Sequence, residues 1–347
     1  MKIIQNYDLK KLNTFGISAR AKFFIEIQNE LDLKELFKLP EFKDNEKLFL
    51  GGGSNILFMK DFNGIVILNK LKGIEILEEN SEYVVIRSMG GEIWHDLIIF
   101  AVNRGYWGIE NLSLIPGTVG AAPMQNIGAY GVELKDTLEN VEAYDIKTGE
   151  KRIFKKNECK FDYRYSIFKD ELKSKYFISA ITLKLSKIEK KNINYKILQE
   201  YLEKNKIEIK NSKDISDAVA YIRKSKLPDP VLIGNAGSFF KNIFVTNEKM
   251  ESFLSTYPEM PYFKEPADAK AMSGKEENIK IPASWLIEKC GWKGKRIGNV
   301  GVHEKQALVL VNYGGATGEE VKNLSEQIIT SVFSKFGLTL EREVNLI

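Results

Sequence analysis

Short β-branched runs along the chain predict strands. Residues Gly64–Asn69, Tyr83–Ser88 and Tyr176–Leu185 have this composition. The stretch Val141–Phe154 is typical of a hairpin that turns at residues 147–149. These segments predict sheet structure through the first half of the chain.

Apolar residues at three- and four-residue spacing predict helices between and after these strands. The first predicted helix has Ile93, Leu97 and Phe100/Ala101 on one face and stops at Gly105. The second begins near Asp214 and is stopped by the LPDP sequence at Leu227–Pro230. Two more are predicted at Pro282–Cys290 and at Glu319–Phe336, the last of which ends at Gly337. Strands mixed with helices indicate an α/β or α+β fold.

Two further segments have distinctive patterns. Leu338–Ile347 alternates strictly between apolar and polar residues, which predicts a strand with Glu341 and Glu343 on its polar face. Residues Lys187–Ser212 are rich in lysine, glutamate and asparagine, which is typical of a mobile surface excursion.

Composition narrows the class of protein. The chain has 347 residues, enough for two or three domains, and its net charge of +4 is interspersed, unlike the basic face of a nucleic-acid binder. Two distant cysteines, Cys159 and Cys290, indicate neither a disulfide framework nor a zinc site and suit a reducing cytoplasm. The N-terminus lacks a signal-peptide core, and no apolar run is long enough to span a bilayer. We expect a cytoplasmic protein that does not bind a membrane.

Two uncharged, glycine-rich segments are candidate ligand loops. Leu48–Leu57 (LFLGGGSNIL) is neither a P-loop nor a GxGxxG motif, and by itself it fits a structural turn as well as a phosphate-binding loop. Ile115–Gly131 contains four glycines and two prolines, and small residues there leave room for close backbone approach. Together the two loops predict a clasp around a long cofactor.

Three residues are candidates for a role in catalysis or binding, and each could instead have only a structural role. Ser238 stands in VLIGNAGSFFKN, but neither histidine of the chain is near it in sequence to act as a base. Arg164 lies between Tyr163 and Tyr165, where it would serve either as an aromatic-stacked surface residue or as a clamp for an anion. Glu343 on a terminal strand would ordinarily face solvent.

Seven motifs together carry a resemblance to a known family. In chain order they are NTFG (Asn13–Gly16), GGGSNIL (Gly51–Leu57), LIPGTVGAAPMQNIGAYG (Leu114–Gly131), YRYSIFK (Tyr163–Lys169), KLPDP (Lys226–Pro230), GNAGSFFKN (Gly234–Asn242) and LEREV (Leu340–Val344). This order resembles that of the UDP-N-acetylenolpyruvoylglucosamine reductases, and the likeness covers essentially the whole chain. Lys187–Ser212 with Tyr195 resembles the substrate-capping loop of the type I branch.

The resemblance implies an α+β fold with a two-part FAD-binding module of the vanillyl-alcohol-oxidase type, followed by a smaller α/β substrate-binding domain. The expected boundaries are residues 1–70 and 71–213 for the two FAD-binding subdomains, with the capping loop at 187–213, residues 214–336 for the substrate-binding domain, and residues 337–347 for a C-terminal strand that returns to the active site.

The implied cofactor is non-covalent FAD, with NADPH as the hydride-donating co-substrate and UDP-N-acetylglucosamine enolpyruvate as the substrate. The residues matched to FAD binding are Gly51, Gly52, Gly53, Ser54, Asn55, Pro116, Gly117, Thr118, Gly120, Ala121, Gly128 and Tyr130. No metal is implied, and the expected state is a monomer.

The implied catalytic residues answer the question that Ser238 raises. Ser238 matches the family's proton donor, so it needs no histidine base, while Arg164 and Glu343 match residues beside the substrate carboxylate. The residues matched to substrate binding are Tyr163, Tyr195, Lys226, Asn242 and Gln306, with Lys293 a weaker candidate.

Two alternatives remain at this point. A FAD-dependent alcohol or lactone oxidase or dehydrogenase of the same fold is one, although neither glycine-rich loop contains a histidine or cysteine for covalent flavin attachment. The other is a nucleotide-binding protein without chemistry, whose expected sign would be loss of Ser238, Arg164 or Glu343.

Overall fold

The computed structural model of the chain describes residues 1–264 and 279–347. Its strands are β1 (Ile4–Asp8), β2 (Arg20–Ile27), β3 (Glu46–Leu50), β4 (Ile56–Leu57), β5 (Phe62–Asn69), β6 (Ile74–Glu79), β7 (Tyr83–Met89), β8 (Gly128–Ala129), β9 (Val132–Glu133), β10 (Leu138–Asp145), β11 (Lys151–Lys155), β12 (Tyr176–Ser186), β13 (Gly234–Ser238), β14 (Ile243–Val245), β15 (Phe263–Lys264), β16 (Ile279–Ile281), β17 (Arg296–Ile297), β18 (Val300–Val302), β19 (Val309–Asn312) and β20 (Asn345–Leu346).

The helices are α1 (Glu30–Leu36), α2 (Pro40–Lys43), α3 (Trp94–Val102), α4 (Lys196–Lys204), α5 (Ser212–Lys226), α6 (Asn247–Thr256), α7 (Ala283–Lys289) and α8 (Gly318–Phe336). Within the two described ranges, none of these helices has the length and apolar character needed to cross a membrane. The chain forms two compact units, one made of residues 1–8, 20–53 and 61–225, the other of residues 9–19, 54–60 and 226–347.

The first unit contains two larger sheets and the short two-stranded sheet β8-β9. The first has the order β1-β2-β5-β3, in which β2, β5 and β3 are parallel, and the second is an antiparallel sheet of order β11-β10-β12-β7-β6. Strand β5 is almost wholly buried, as expected for the central strand of a parallel set. Helix α3 packs Trp94, Leu97 and Ala101 into the core beside the second sheet. Its end at Val102, before Gly105 with φ +74°, agrees with the predicted stop.

The second unit is built around the antiparallel sheet β13-β19-β18-β17, with a smaller sheet of order β14-β16-β15. Helix α8 begins at a capping box formed by Thr317 and Glu320 and ends at Gly337, whose φ is +63°. Its buried face includes Val321, Leu324 and Ile328. The amphipathic pattern therefore predicted this helix within one residue of its start.

Residues Lys187–Ser212 are more structured than their composition predicts. Within them, α4 buries Leu198 and Leu202 against Trp107, Ile215 and Val219 of the first unit. The prediction of a mobile surface excursion was wrong because the sparse leucines lie at a four-residue spacing and form one face of a helix.

Two predicted boundaries also differ from the structure. Helix α5 belongs to the first unit because Ile215, Val219 and Ile222 pack with α4, so the second unit resumes at Lys226 and not at residue 214. The C-terminal segment has the predicted alternation of burial, but only residues 345–346 form a strand, paired in parallel with β4. Residues 338–344 are joined to residues 239–241 by one isolated bridge, Phe240–Arg342, and by two backbone hydrogen bonds, so no long strand forms.

Candidate active site

The two glycine-rich loops meet inside the first unit. A Cβ on Gly52 would lie 2.9 Å from the Cα of Gly117, and one on Gly51 would lie 2.3 Å from the Thr118 hydroxyl oxygen. Real side chains do not approach so closely, so the two backbones can adjoin only because these positions are glycine. The sequence-based expectation that the loops act together is consistent with this contact.

Thr118 gives this junction an unusual polar feature. Its hydroxyl is buried and has no hydrogen-bond partner within residues 1–264 and 279–347. A buried polar group without a partner is costly, so a hydroxyl left in this state marks a place where a ligand atom would be stabilised. Uncharged loops with an unsatisfied hydroxyl fit the diphosphate-bearing cofactor that the sequence predicts.

The second loop is fixed to the turn before α3. The backbone N–H of Gly120 donates to the carbonyl of Gly90 at 2.8 Å, and that of Val119 donates to the carbonyl of Glu92 at 2.9 Å. The loop then winds through a short 3₁₀ helix, Val119–Gln125. These bonds hold a segment that has little regular structure of its own in a defined path.

Arg164 is held in a strained backbone conformation in the same unit. Its φ is +52°, in the left-handed region that a non-glycine residue seldom adopts. The guanidinium donates to the carbonyl of Gly128 at 2.8 Å and stands 5.1 Å from the centre of the Tyr163 ring. A Cβ on Gly128 would lie 3.1 Å from Nη1, so this glycine makes room for the arginine. The sequence left open whether Arg164 stacks on an aromatic ring or clamps an anion. The structure shows the guanidinium close to the Tyr163 ring and held by the Gly128 carbonyl.

A second arginine, Arg223, was missed by the sequence analysis. It lies on α5, four residues after the buried Val219. Its Nε is buried and has no hydrogen-bond partner in the described part of the chain. Burial lowers the pKa of Arg223, Tyr130 partly opposes that effect, and the charge of Arg164 adds to it. Arg223 lies four residues after Val219, on the apolar face of the predicted helix, and this position was the signal that could have identified it.

Ser238 and Glu343 are brought close together in the second unit. Ser238 ends β13 after a register shift, with Gly237 before it at φ +68°. Across from it the backbone N–H of Glu343 donates to the carbonyl of Phe239 at 2.8 Å. The carbonyl of Glu343 accepts from the side-chain amide of Asn55 at 3.3 Å. Main-chain pairing therefore joins the C-terminal segment to the chain that follows Ser238, and the return of this segment to an active site stays a prediction.

The NTFG segment supports Ser238 from behind. The carbonyl of Thr14 accepts the Asn235 N–H at 3.0 Å, and the rings of Phe15 and Phe239 meet edge to face at 6.1 Å between centroids. A Cβ on Gly234 would lie 2.3 Å from the Phe15 carbonyl oxygen. A motif near the N-terminus thus fixes the strand that ends at the candidate proton donor.

The predicted substrate residues are divided between the two units. In the first unit the rings of Tyr130 and Tyr195 meet edge to face at 5.3 Å. In the second, the side-chain oxygen of Asn242 accepts the backbone N–H of Ala283 at 3.1 Å, and that of Gln306 accepts the N–H of Leu308 at 3.3 Å. Lys226 begins the main segment of this second unit.

Comparisons with known proteins decide the family. The model described as "FAD binding domain" matches residues 21–154, and that described as "UDP-N-acetylenolpyruvoylglucosamine reductase, C-terminal domain" matches residues 229–347. The UDP-N-acetylenolpyruvoylglucosamine reductase of Flavobacterium johnsoniae is 46% identical over 100% of both chains. The chain belongs to the UDP-N-acetylenolpyruvoylglucosamine reductase family.

Solved structures agree with this reductase fold. The crystal structure of UDP-N-acetylenolpyruvylglucosamine reductase from Thermus caldophilus aligns with a TM-score of 0.63 at 21% identity, covering 99% of this chain and 98% of that one. The structure of 6-hydroxy-D-nicotine oxidase from Arthrobacter nicotinovorans aligns with a TM-score of 0.50 at 11% identity, covering 97% and 86%. The expected α+β fold with a vanillyl-alcohol-oxidase-type FAD module is confirmed.

Membership of the reductase family leaves individual residues to be judged by geometry. Gly120 and Gly128 were matched to the flavin as small residues, but their missing side chains make room for Gly90 and for Arg164. Lys293, the weaker candidate, forms an exposed ion pair with Glu288 at 3.0 Å. The cofactor and substrate contacts of the reductase therefore remain predictions, residue by residue.

Proposed function

We propose that the chain catalyses the NADPH-dependent, FAD-mediated reduction of UDP-N-acetylglucosamine enolpyruvate to UDP-N-acetylmuramate, with Arg164, Ser238 and Glu343 as its catalytic residues. The observation that carries the reaction is 46% identity to a reductase over the full length of both chains. The product is a precursor of peptidoglycan. The three residue assignments rest on the matched motifs and on the local geometry around each side chain.

The residues proposed to hold FAD are those of the adjoining loops, Gly51–Asn55 and Pro116–Ala121, with Gly128 and Tyr130. When bound in these loops, FAD would supply the hydride-transfer chemistry that links NADPH to C3 of the enolpyruvyl group. The unpartnered Thr118 hydroxyl would donate to an oxygen of the cofactor. Neither loop contains histidine or cysteine, so attachment is non-covalent.

The role proposed for Arg164 is to hold the substrate carboxylate. Its guanidinium is directed by the Gly128 carbonyl and by Tyr163, which leaves little rotamer entropy to be lost on binding. Arg223 contributes a second, partly buried positive charge, and its buried Nε has no partner in the described chain. Two cationic groups that repel each other in the free protein would both be stabilised by an anionic substrate.

The role proposed for Ser238 is to give its proton to C2. Hydride addition at C3 leaves negative charge at C2 that is delocalised onto the carboxylate, and such a carbon is basic enough to take a proton from a hydroxyl. The serine then recovers a proton from solvent. Glu343, whose backbone is held by the Phe239 carbonyl on one side and by Asn55 on the other, would lie beside the same carboxylate.

We further infer that the enzyme is a cytoplasmic monomer. Both cysteines are free, and burial raises the pKa of the Cys159 thiol to about 12, so that it stays protonated and inert. This cysteine usage suits a reducing compartment. Sedimentation of the holoenzyme with and without the sugar nucleotide would test the oligomeric state, and a dimer would contradict it.

An anaerobic absorption experiment tests the function. The purified protein should be yellow, NADPH should bleach the flavin band, and UDP-N-acetylglucosamine enolpyruvate should restore it. An oxidase of the same fold would instead be bleached by an alcohol or lactone and restored by oxygen. A protein without chemistry would show no bleaching by either donor, and both results would contradict the proposal.

A further inference from the structure

The capping segment, Lys187–Ser212, is attached to the second glycine-rich loop through one buried side chain. Asn111 is fully buried in the short turn Glu110–Leu112. Its amide nitrogen donates to the carbonyl of Tyr130 at 2.9 Å and to the carbonyl of Asn192 at 2.8 Å. Tyr130 is the end of the glycine-rich loop, and Asn192 lies in the capping segment, so a single amide joins the two.

The orientation of the Asn111 amide is fixed by its partners. Both neighbouring groups are carbonyl acceptors, so only the NH₂ end of the side chain can face them. The Oδ1 atom is consequently directed elsewhere, and it is buried with no partner in the described part of the chain. An unsatisfied acceptor costs stability, which indicates that the two donated bonds are retained for what they join together.

Other contacts strengthen the same junction. The side-chain amide of Asn192 donates back to the carbonyl of Gly131 at 3.3 Å. Tyr130 has a φ of +49°, a conformation that a tyrosine holds only when its surroundings impose it. The Tyr130 ring packs edge to face on Tyr195. The carbonyl bonds from Asn111 therefore set the position of a residue that contacts the proposed capping tyrosine.

The turn that carries Asn111 is itself rigidly held. The hydroxyls of Ser113 and Ser216 are both buried and hydrogen-bonded at 2.7 Å, which ties the turn to α5. Glu110 accepts the Gly108 N–H at 2.6 Å. The turn is therefore held by several bonds of its own, separate from the two that Asn111 makes to the loop and to the capping segment.

We propose that Asn111 is a positioning residue that fastens the capping segment to the cofactor loop, so that Tyr130 and Tyr195 are preset for the sugar nucleotide. The inference rests on the proposed capping role of Tyr195. It assigns Asn111 no contact with the substrate or with FAD. Its effect on the reaction is exerted through the two tyrosines.

The test uses two variants of similar size and one matched control. Asn111→Leu removes both donors, and Asn111→Asp places oxygen atoms against the two carbonyls. Ser113→Ala removes a buried hydrogen bond from the same turn but leaves the junction intact. Asn192→Ala, at a half-buried position, removes only the bond to Gly131 and serves if the two Asn111 variants do not fold.

The first measurement is tryptic cleavage of the ligand-free holoenzyme, since the capping segment contains Lys187, Lys190, Lys191, Lys196 and Lys204. We expect cleavage within residues 187–204 to be accelerated about tenfold in both Asn111 variants, about the effect of losing 1.4 kcal/mol of local stability. A smaller acceleration is expected for Asn192→Ala. Ser113→Ala should not accelerate it, and an equal acceleration there would overturn the proposal.

The second measurement is a double-mutant cycle with Tyr195→Ala. Asn111→Leu alone should raise the KM for the sugar nucleotide about tenfold and leave flavin reduction by NADPH unchanged. In the Tyr195→Ala background the same change should raise KM less than twofold. Additive effects would show a general structural role and overturn the proposal. If the wild-type protein lacked reductase activity, the proposed function would fail, and faster tryptic cleavage would still support the anchor.

Discussion

Glu343 donates its backbone N–H to the carbonyl oxygen of Phe239, the residue that follows Ser238, at 2.8 Å. The chain positions of the two residues differ by about a hundred, yet the main chain alone sets them side by side. The pairing continues over the next two residues, at the bridge between Phe240 and Arg342 and at the Lys241 N–H, which donates to the Glu341 carbonyl at 2.9 Å. If Ser238 is the proton donor proposed above, this hydrogen-bonded frame would keep its position relative to Glu343 through a catalytic cycle.

Ser238→Ala tests the proposed proton donor. Flavin reduction by NADPH should be nearly normal, because only the second half-reaction needs a proton at C2. Overall turnover should fall by about 10²–10⁴-fold, the range for loss of a positioned general acid. The turnover of Ser238→Cys should lie between those of the wild type and Ser238→Ala, since a thiol can also donate a proton. Stopped-flow flavin absorbance separates the half-reactions, and equal damage to both would exclude a specific role in protonation.

Arg164→Lys tests the proposed carboxylate clamp. Lysine retains the charge but loses the planar fork and the bond to the Gly128 carbonyl, so kcat/KM should fall about 10–100-fold. Arg152→Lys is a matched control, because Arg152 is an exposed arginine that stacks on Phe154 at 4.2 Å. Steady-state kinetics should show no loss for the control. An unchanged Arg164 variant would favour the purely stacked, structural alternative.

The sequence predicted most of the elements because their signals are local. Helix α8 has its cap, its apolar face and its terminal glycine within one stretch of chain, and β5 is a continuous β-branched run. Residues 196–204 gave a weaker signal, since two leucines among charged residues look like solvent-exposed chain until Trp107 and α5 are placed beside them. Long-range partners of this kind cannot be derived from composition.

For the candidate site, the sequence proposed residues but not their surroundings. Motif matches put forward Ser238, Arg164 and Glu343, whose roles stay predictions, but the contacts of the neighbouring glycines are visible only in the fold. Gly128 lies against both Glu133 and Arg164, and a Cβ there would be 2.9 Å from Cγ of the glutamate and 3.1 Å from Nη1 of the arginine. Arg223 is marked by a buried Nε without a partner in the described chain, and Asn111 by hydrogen bonds to distant carbonyls, and neither property is visible in a linear sequence.

Gly52→Val tests the contact between the two glycine-rich loops. The new side chain would meet the Gly117 backbone at 2.9 Å or less and force the loops apart, so FAD should bind about tenfold more weakly, the effect of about 1.4 kcal/mol. Gly64→Ala is the control, since its Cβ would meet the Glu46 carbonyl oxygen at 2.4 Å, at the other end of β3. Titration of the folded apoproteins with FAD should show weaker binding for Gly52→Val than for Gly64→Ala. Equal affinity in both variants would contradict the assignment of the loops.

Tyr195→Ala tests the capping role. The KM for the sugar nucleotide should rise about tenfold or more, in the range expected for loss of a buried aromatic contact, while flavin reduction by NADPH changes little. Tyr201→Ala provides a comparison within the same segment, because it removes the Tyr201 and Tyr221 ring pair at 5.1 Å. Measuring the kinetics of each half-reaction would distinguish a capping role from a structural one. A similar rise in KM for both variants would indicate general loosening of the segment.

Glu142→Gln tests a buried ion-pair network that stabilises the second sheet of the first unit. Glu142 accepts from Arg87 at 2.5 and 2.8 Å and pairs with Lys151 at 2.7 Å. Burial by itself would raise the pKa of Glu142, but the hydrogen bonds from Arg87 and Lys151 outweigh it and hold the pKa below the usual 4.5. The free energy of unfolding at pH 7 should fall by about 1–3 kcal/mol in the variant.

The difference in unfolding free energy between the wild type and Glu142→Gln should depend on pH because the pKa of Glu142 is lowered in the folded state. A carboxyl whose pKa is lower in the folded state binds fewer protons there than in the unfolded state, so its stabilising contribution is present in full above pH 4.5. The contribution is lost as the pH falls through the lower, folded-state pKa. Urea unfolding at a series of pH values should therefore show the wild-type and Glu142→Gln curves converging below pH 4.5. Glu139→Gln, an exposed position on the same strand, should follow the wild type throughout, and a constant gap for Glu142→Gln would show that packing, not charge, is responsible.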